Sequence, residues 1–543
     1  MTCTITRNLP RSDSLQKAIE QWRTVLGPDA VRSDVPTIDR YARTTSPRGT
    51  VPAAVLYPTT TELVQQVVRI AFRFDVPLYP ISRGRNWGYG DACAAGDGQV
   101  IVDLGRMTRI LEVNARLAYA VIEPGVTQQQ LYEHLIQHET GLWMDATGAG
   151  LEASVLGNTL ERGFGHTPCG DHFANTCGLQ IVLADGQVLE TGFGHFAHAP
   201  ATHCYPYGIG PVLDGLFSQS NLGIVTRIGI WLNRRPQAME AFFVSAPDPG
   251  DLPDLIDRLL PLRLDGLLRS AVHVANDLRV VSLRIRHPSA GSAQVAPLST
   301  AQRAALRRKL GIGAWNISGA IYGTRATVRA TRQALKQALR PHRVITLNDA
   351  RLGLARRASG VLERFGLGFG RRLAEMLAIV EPAYELLKGT PSDAFLPGVL
   401  WHLDTPDPDN SLDPLDREAG LIWVSPVVPA EGSHVEPLTR LMETIYHRHG
   451  FDFPVTFSFV TNRALCAVTN LSFDRRDRSQ IDRAAMCYDE LMHALLEAGY
   501  PPYRTGPAGF EKIRTDTVFW HTCRQIKKTL DPKCLISPGR YIG

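Results

Sequence analysis

The segment Ser82-Arg83-Gly84-Arg85-Asn86-Trp87-Gly88-Tyr89-Gly90 follows a predicted strand that ends in Pro80-Ile81. Its three glycines permit positive φ and let the backbone approach a ligand closely. Successive N–H groups in such a turn form a nest suited to a pyrophosphate, and Arg83 and Arg85 add positive charge. The spacing is neither the GxxxxGKS/T of a P-loop nor a GxGxxG that opens a helix, which sets aside P-loop and Rossmann folds. Taken alone, a Gly-rich turn is more often only a turn, so its neighbours must decide.

Working outward, AAVLY reads as a short buried strand and Thr61 to Phe74 as a Thr-capped amphipathic helix leading into the strand before the loop. Upstream, residues 13–28 predict a helix that starts at Asp/Ser and stops at Gly-Pro. Downstream, QVIVDLG, ILEVNARLAYAVIEPG, GLQIVLADGQVLETG and GIVTRIGIWL read as strands with turn residues between them. TQQQLYEHLIQHETG reads as a helix with a Gly C-cap. From about 240 to 497 the texture changes: helices over 307–311, 324–340, 371–387, 435–449 and 478–498 alternate with strands such as LRVVSLRIR, GLIWVSPVV and ALCAVTNLSF. The tail from Tyr503 returns to short turn-rich segments. The expectation is an α+β chain with two unlike parts.

At 543 residues the chain exceeds what one core organises, so two or more domains are expected. A net charge of +5 is too dilute for the basic face of a nucleic-acid binder. No apolar run of about 18 residues suggests a spanning helix, and no secretory signal opens the sequence. Nine scattered cysteines without metal or redox spacing fit reduced thiols and a cytoplasmic protein. The histidines, including 195, 198 and 203, show no metal-ligand spacing, so no metal is expected.

In order and spacing, PISRGRNWGYG, IVDLGRMTRILEVN, AVIEPGVTQQQLYEHL, SVLGNTLERGFGHTPCGDH and PYGIGPVLDGLFSQSNLGIVTRIGIWL resemble the vanillyl-alcohol oxidase/p-cresol methylhydroxylase family of flavoproteins. YRTGPAGF and LISPGRYIG extend the likeness to the C-terminus. The resemblance implies an FAD-binding domain from residues 1–238 and 498–543, covered by a substrate-binding cap from 239–497. It places Ser82, Arg83, Gly84, Arg85, Asn86 and Gly88 around the pyrophosphate. Ser154, Gly157, Asn158, Gly223, Ile224 and Val225 lie along the flavin, and Arg540 faces its pyrimidine edge.

Members that act on para-substituted phenols hold the phenolate oxygen with two tyrosines and an arginine, and the matching positions here are Tyr89, Tyr503 and Arg504. A phenol has a pKa near 10, so ionising it at neutral pH costs about 4 kcal/mol. One guanidinium and two hydroxyl donors offer bonds of about 1.5–3 kcal/mol each, enough to offset that cost. The plain alternative has Tyr89 packed in the loop and the other two at the surface.

Two departures from the family pattern stand out. Many relatives tether the flavin through a His or Tyr in the cap strand; here, in Gly420-Leu421-Ile422-Trp423-Val424-Ser425-Pro426, the register falls on Leu421. Leucine has no nucleophile and Asn86 cannot serve either, so dissociable FAD is expected. Relatives also place an Asp near the reacting flavin nitrogen, before SVLGN. Here Asp145–Ala153 is one residue longer and lacks it, leaving Glu152 as a substitute or a solvated loop carboxylate. His166 is either an acid–base group at the reacting carbon or a structural ring in an aromatic slot. Trp423 is either a pocket wall or core packing, and Asp171-His172 read as structural residues on the cofactor side.

The implied activity is removal of hydride from a 4-alkyl, 4-allyl or 4-hydroxymethyl phenol. The alternative is a redox-neutral elimination, deacylation or rearrangement on a related aromatic. A small aromatic substrate, O2 or an electron-acceptor protein, and assembly as a homodimer or larger complete the expected partners.

Overall fold

The computed structural model describes residues 12–288, 290, 296–364, 368–403 and 411–543. In its first part, strands Ala54–Leu56, Val100–Asp103 and Leu78–Ile81 lie parallel, with the short Val31–Arg32 antiparallel at the edge. Their apolar faces are covered by helices Ser12–Leu26 and Thr61–Phe74. Ala18, Ile19 and Trp22 of the first helix pack with Val64, Val67 and Val68 of the second. Thr60 caps the second helix by accepting from Leu63 N, in line with the Thr-capped start expected there.

A five-stranded antiparallel sheet follows, ordered Ile110–Asn114, Tyr119–Ile122, Ile224–Trp231, Thr176–Val182, Val188–Glu190. The C-terminus joins this region: Leu78 N donates to Leu535 O at 2.8 Å and Ser537 N to Leu78 O at 2.7 Å. Asn221 Nδ2 donates to the carbonyls of Ser537 and Ile542. Segments more than 450 residues apart in sequence are thus hydrogen-bonded to one another.

The middle of the chain builds a second body around an antiparallel sheet. Its order is Val344–Leu347, Ala238–Ala246, Trp315–Gly323, His273–Asn276, Val455–Phe459, Ala464–Asp474, Ala419–Val424, with Val427–Pro429 also paired to Ala464–Asp474. Side chains alternate across a strand, and the two faces here differ in kind. Val274, Ile317 and Phe457 enter a core covered by helices Leu252–Leu264, Arg325–Ala338, Gly432–Arg448 and Arg478–Glu497. Their neighbours His273, Ser318 and Ser458 are in register with one another on the opposite face and line a large cavity.

Three local readings need correction. LRVVSLRIR is not a strand: Asp277–Ser282 is a helix, capped by Asn276 accepting from Arg279 N. Leu278 and Val281, three apart, bury one side of it. The β-branched run suggested extension, but the Asx cap and the helical spacing won.

The tail is not merely turns, since Val518–Leu530 is a helix whose Trp520, Cys523, Ile526 and Leu530 pack on the five-stranded sheet's core. The helix Gln128–Gln137 ends before Gly141, with Glu139 in the left-handed region at φ 47°. Among the described residues no helix is long and apolar enough to cross a membrane.

Candidate active site

The cavity between the two bodies measures about 1370 Å³, more than the roughly 300–1,000 Å³ usual for one small ligand. Every site residue expected from the sequence lines it except Gly88. Gly88 instead holds the loop in place. Its N–H donates to Thr45 Oγ1 at 2.8 Å and its carbonyl accepts from Trp423 N. It sits at φ 75°, and a Cβ there would fall 2.4 Å from Trp423 Cδ1. Only glycine lets the loop lie against the Leu421–Trp423 strand.

The residues fit an FAD. Gly84 takes φ 67°, and among the described residues nothing accepts from the backbone N–H groups of Arg83, Gly84, Arg85 and Asn86. Such a row of unclaimed donors suits a pyrophosphate. A Cβ on Gly157 would lie 2.3 Å from Ser82 Oγ, so the helix Val155–Leu160 and the loop approach as closely as backbone allows. Ser154 caps that helix at Gly157 N and donates to Pro124 O. The arginines differ from expectation: Arg83 pairs with Glu152, and Arg85 with Asp413 at 2.6 Å. Glu152, the candidate substitute for a missing Asp, is thus engaged by Arg83.

Tyr89, Tyr503 and Arg504 converge at one end. The Arg504 guanidinium lies 4.1 Å over the Tyr89 ring, within cation–π range. Burial pushes the Tyr89 hydroxyl well above its ordinary pKa. Burial also raises Tyr503, to about 12, against the opposing pull of the Arg504 charge. Both are therefore protonated donors at neutral pH.

Behind them stands Glu161, which the sequence reading did not single out. It accepts from Arg504 Nε at 3.1 Å, from Arg540 Nη2, and from Tyr541 hydroxyl at 2.8 Å. Arg504 also donates to Asn86 Oδ1. Two guanidiniums on one carboxylate leave one positive charge in excess, with that of Arg504 lying over the Tyr89 ring. The signal in the sequence was absent, because Glu161 meets its partners only across 343 and 379 residues.

Elsewhere on the wall, His166 and His273 face each other with ring centroids 4.4 Å apart. His166 lies deep in the molecule, opening only onto the cavity, and burial lowers it to about 4. His273 is driven well below its usual value by burial and then by His166. Its Nδ1 bonds Ser458 Oγ at 2.8 Å, while its buried Nε2 has no hydrogen-bond partner among the described residues. His166 is fixed through its backbone, whose N–H donates to Asp145 Oδ1. Asp145 also takes His172 Nε2 at 2.6 Å, and His172 Nδ1 reaches Asn158 Oδ1 at 2.7 Å. Burial works to raise Asp145, yet the His172 bond and charge hold it below the usual carboxylate range. Asp145 and His172 therefore brace the loop that carries His166.

Trp423 lines the cavity with Arg279 5.7 Å over its ring, and Leu421 stands in the same strand with no atom able to bond a flavin. Histidine spacing in the sequence predicted no metal, but the fold brings His287, His402 and Asp452 together, their donor atoms within 4.8 Å of one another. The 3.1 Å His287–Asp452 pair accounts for two of the three.

Residues 52–192 match the FAD binding domain family. The chain is 35% identical to 1'-carboxy-chondrochloren decarboxylase of Chondromyces crocatus, over 97% of each chain. It superposes with a TM-score of 0.86 on 4-ethylphenol oxidase from Gulosibacter chungangensis in its isoeugenol complex, at 30% identity over 98% of this chain and 97% of that one. A crystal structure of p-cresol methylhydroxylase with substrate bound gives the same TM-score at 28% identity, with the same shares covered. An FAD cradle joined to a cap-walled cavity, over the full length of these relatives, leads to one conclusion: the chain is an FAD-dependent oxidoreductase belonging to the vanillyl-alcohol oxidase/p-cresol methylhydroxylase family.

Proposed function

We propose that the enzyme removes hydride from the para side chain of a phenol bound as its phenolate. The observation that carries this reading is the convergence of Tyr89, Tyr503 and Arg504 on one end of the cavity, with one positive charge in excess over Glu161. Tyr89 and Tyr503 donate to the phenolic oxygen, and Arg504 with Arg540 stabilises the negative charge that forms there. Electron density released toward the para carbon weakens its C–H bond. When bound, FAD supplies the hydride acceptor at flavin N5. His166, neutral above about pH 4, accepts or returns a proton at the reacting carbon.

The FAD is dissociable, because Leu421 and Asn86 offer no bond to it. Electrons leave to O2 or to an electron-acceptor protein, and the enzyme works in the cytoplasm as a homodimer or larger assembly. A redox-neutral step on a phenolic or related aromatic is the second reading, favoured by the relative named a decarboxylase.

Anaerobic addition of 4-alkyl, 4-allyl and 4-hydroxymethyl phenols to the holoenzyme separates the two. Hydride removal bleaches the flavin band with at least one of them. Turnover of a phenol with the band intact moves the assignment to the redox-neutral step.

A further inference from the structure

Charge on the cap wall goes beyond what phenolate binding uses. Arg279 stands on the helix Asp277–Ser282 and lines the cavity. Its guanidinium donates to Asn470 Oδ1 at 2.9 Å and to the carbonyls of Pro454 and Val468, each at 3.1 Å. All three acceptors are neutral, and no carboxylate pairs with it among the described residues. A guanidinium has five N–H groups, so these three bonds leave two of them without an acceptor among the described residues.

The other arginines named at this cavity are compensated differently. Arg83 and Arg85 pair with Glu152 and Asp413, and Arg504 and Arg540 share Glu161. Arg284 lines the same cavity as Arg279 and donates to the Ala378 carbonyl, its buried Nε having no partner among the described residues. Arg308 and Lys309 extend the positive lining, while its carboxylates are Asp91 and the already engaged Glu161. Burial lowers Arg279 to about 10, which still leaves it charged at neutral pH.

A buried cation without a counter-charge is costly unless something anionic joins it. The pyrophosphate is expected at residues 82–90, on the other body, so it does not serve this helix. What remains is the second occupant of the cavity.

We propose that Arg279, reinforced by the positive field of Arg284, Arg308 and Lys309, is an anion subsite that receives a carboxylate on the substrate's side chain. This rests on the phenol reading and narrows it: the substrate is a phenol at one end and a carboxylate at the other. A guanidinium suits this role because its planar fork matches two carboxylate oxygens. Trp423, beneath Arg279 and against Gly88, forms the wall linking this subsite to the loop that carries Tyr89. The competing account makes Arg279 only a strap tying its helix to Pro454 and the strand Ala464–Asp474.

The test titrates 3-(4-hydroxyphenyl)propanoate and its methyl ester into the anaerobic holoenzyme, reading dissociation constants from the flavin spectrum and reduction from its bleaching. The acid is expected to bind at least about tenfold tighter than the ester, the scale of one charge-assisted bond. Arg279→Met should cut that acid-to-ester ratio by about 10- to 100-fold, and Arg279→Lys should retain part of it.

A ratio near one in the wild type, or a ratio unchanged by Arg279→Met, would overturn the subsite and leave the strap. The wild-type ratio decides the matter even where Arg279→Met fails to fold. Tighter binding of the acid with no bleaching sinks the oxidation reading while the subsite stands. Equal binding and bleaching by both compounds does the reverse.

Discussion

At one end of the cavity, Glu161 sits between Arg504 and Arg540 under two tyrosines that burial keeps protonated. Elsewhere on the cavity wall, His166 and the cap strand's His273 meet ring to ring and burial keeps both neutral. The same physical agent, removal from water, acts in both places with opposite consequences. Where a carboxylate and two guanidiniums are linked, charge survives burial and leaves one positive charge in excess, which on the proposed reading meets a phenolate. Where two imidazoles face each other and, among the described residues, no carboxylate bonds to either ring, the neutral form wins, which on the proposed reading leaves a proton acceptor. The proposed oxidation of a phenol would use both: a place that holds negative charge and a separate place that does not compete for it.

Removing the charged end should produce the largest effect. Arg504→Met deletes the guanidinium over Tyr89 and leaves Glu161 to Arg540 and the Tyr541 hydroxyl. With charge-assisted bonds of about 1.5–3 kcal/mol each and two at stake, flavin reduction by phenols should slow by about 100- to 10,000-fold. Stopped-flow reduction rates measure it, and a loss under about fivefold, the scale of 1 kcal/mol, would mean that this end is structural.

Removing the neutral wall should cost less. His166→Phe, which refills the slot with a ring, should slow reduction by about 100-fold, the lower end for a positioned proton acceptor. It should also erase an acid limb near pH 4 in the rate profile. An unchanged limb would show that His166 only fills space.

The two regions were not equally legible beforehand. Tyr89, Tyr503 and Arg504 were visible because a family motif marks each one, and the paired ends of the chain followed from motifs at both termini. Glu161 was not, since a lone carboxylate in LERGFG carries no periodic or spacing signal. Its meaning comes from partners that only the fold delivers. His273 was hidden for a different reason: alternation along His273–Asn276 tells that two faces differ, but not which face meets a cavity. The helix Asp277–Ser282 reads as a strand in the sequence because its Val-Val pair favours extension, whereas its Asn276 cap sets the helix. With it went Arg279.

The joint between the two regions offers a smaller effect. Gly88→Ala brings a Cβ against Trp423 at a residue with φ 75°, and overpacking of this kind costs about 1–3 kcal/mol. Thermal melting of the holoenzyme should fall, with FAD released more readily. An unshifted melt would mean that Trp423 gives way and the contact is loose. Independently, acid precipitation of the wild type should leave the flavin in the supernatant, because Leu421 cannot bond it; yellow protein in the pellet would point to a tether elsewhere.

Smallest is a pH effect on stability. His166 is lowered from its ordinary 6.5 to about 4 in the folded chain, so between those values the unfolded state binds more protons. Its contribution is full above about pH 6.5 and is lost as pH falls toward about 4. Melting curves over that window should fall less steeply in His166→Phe, and parallel curves would deny the buried neutral ring.

The most direct measurement of the charge asymmetry uses a phenol that cannot be oxidised at its para carbon, 4-tert-butylphenol, bound to the holoenzyme at neutral pH. Its ultraviolet difference spectrum should show the phenolate band in the wild type and the neutral phenol in Arg504→Met. A neutral phenol bound to the wild type would contradict the account, because the charge at that end would then not be ionising the substrate.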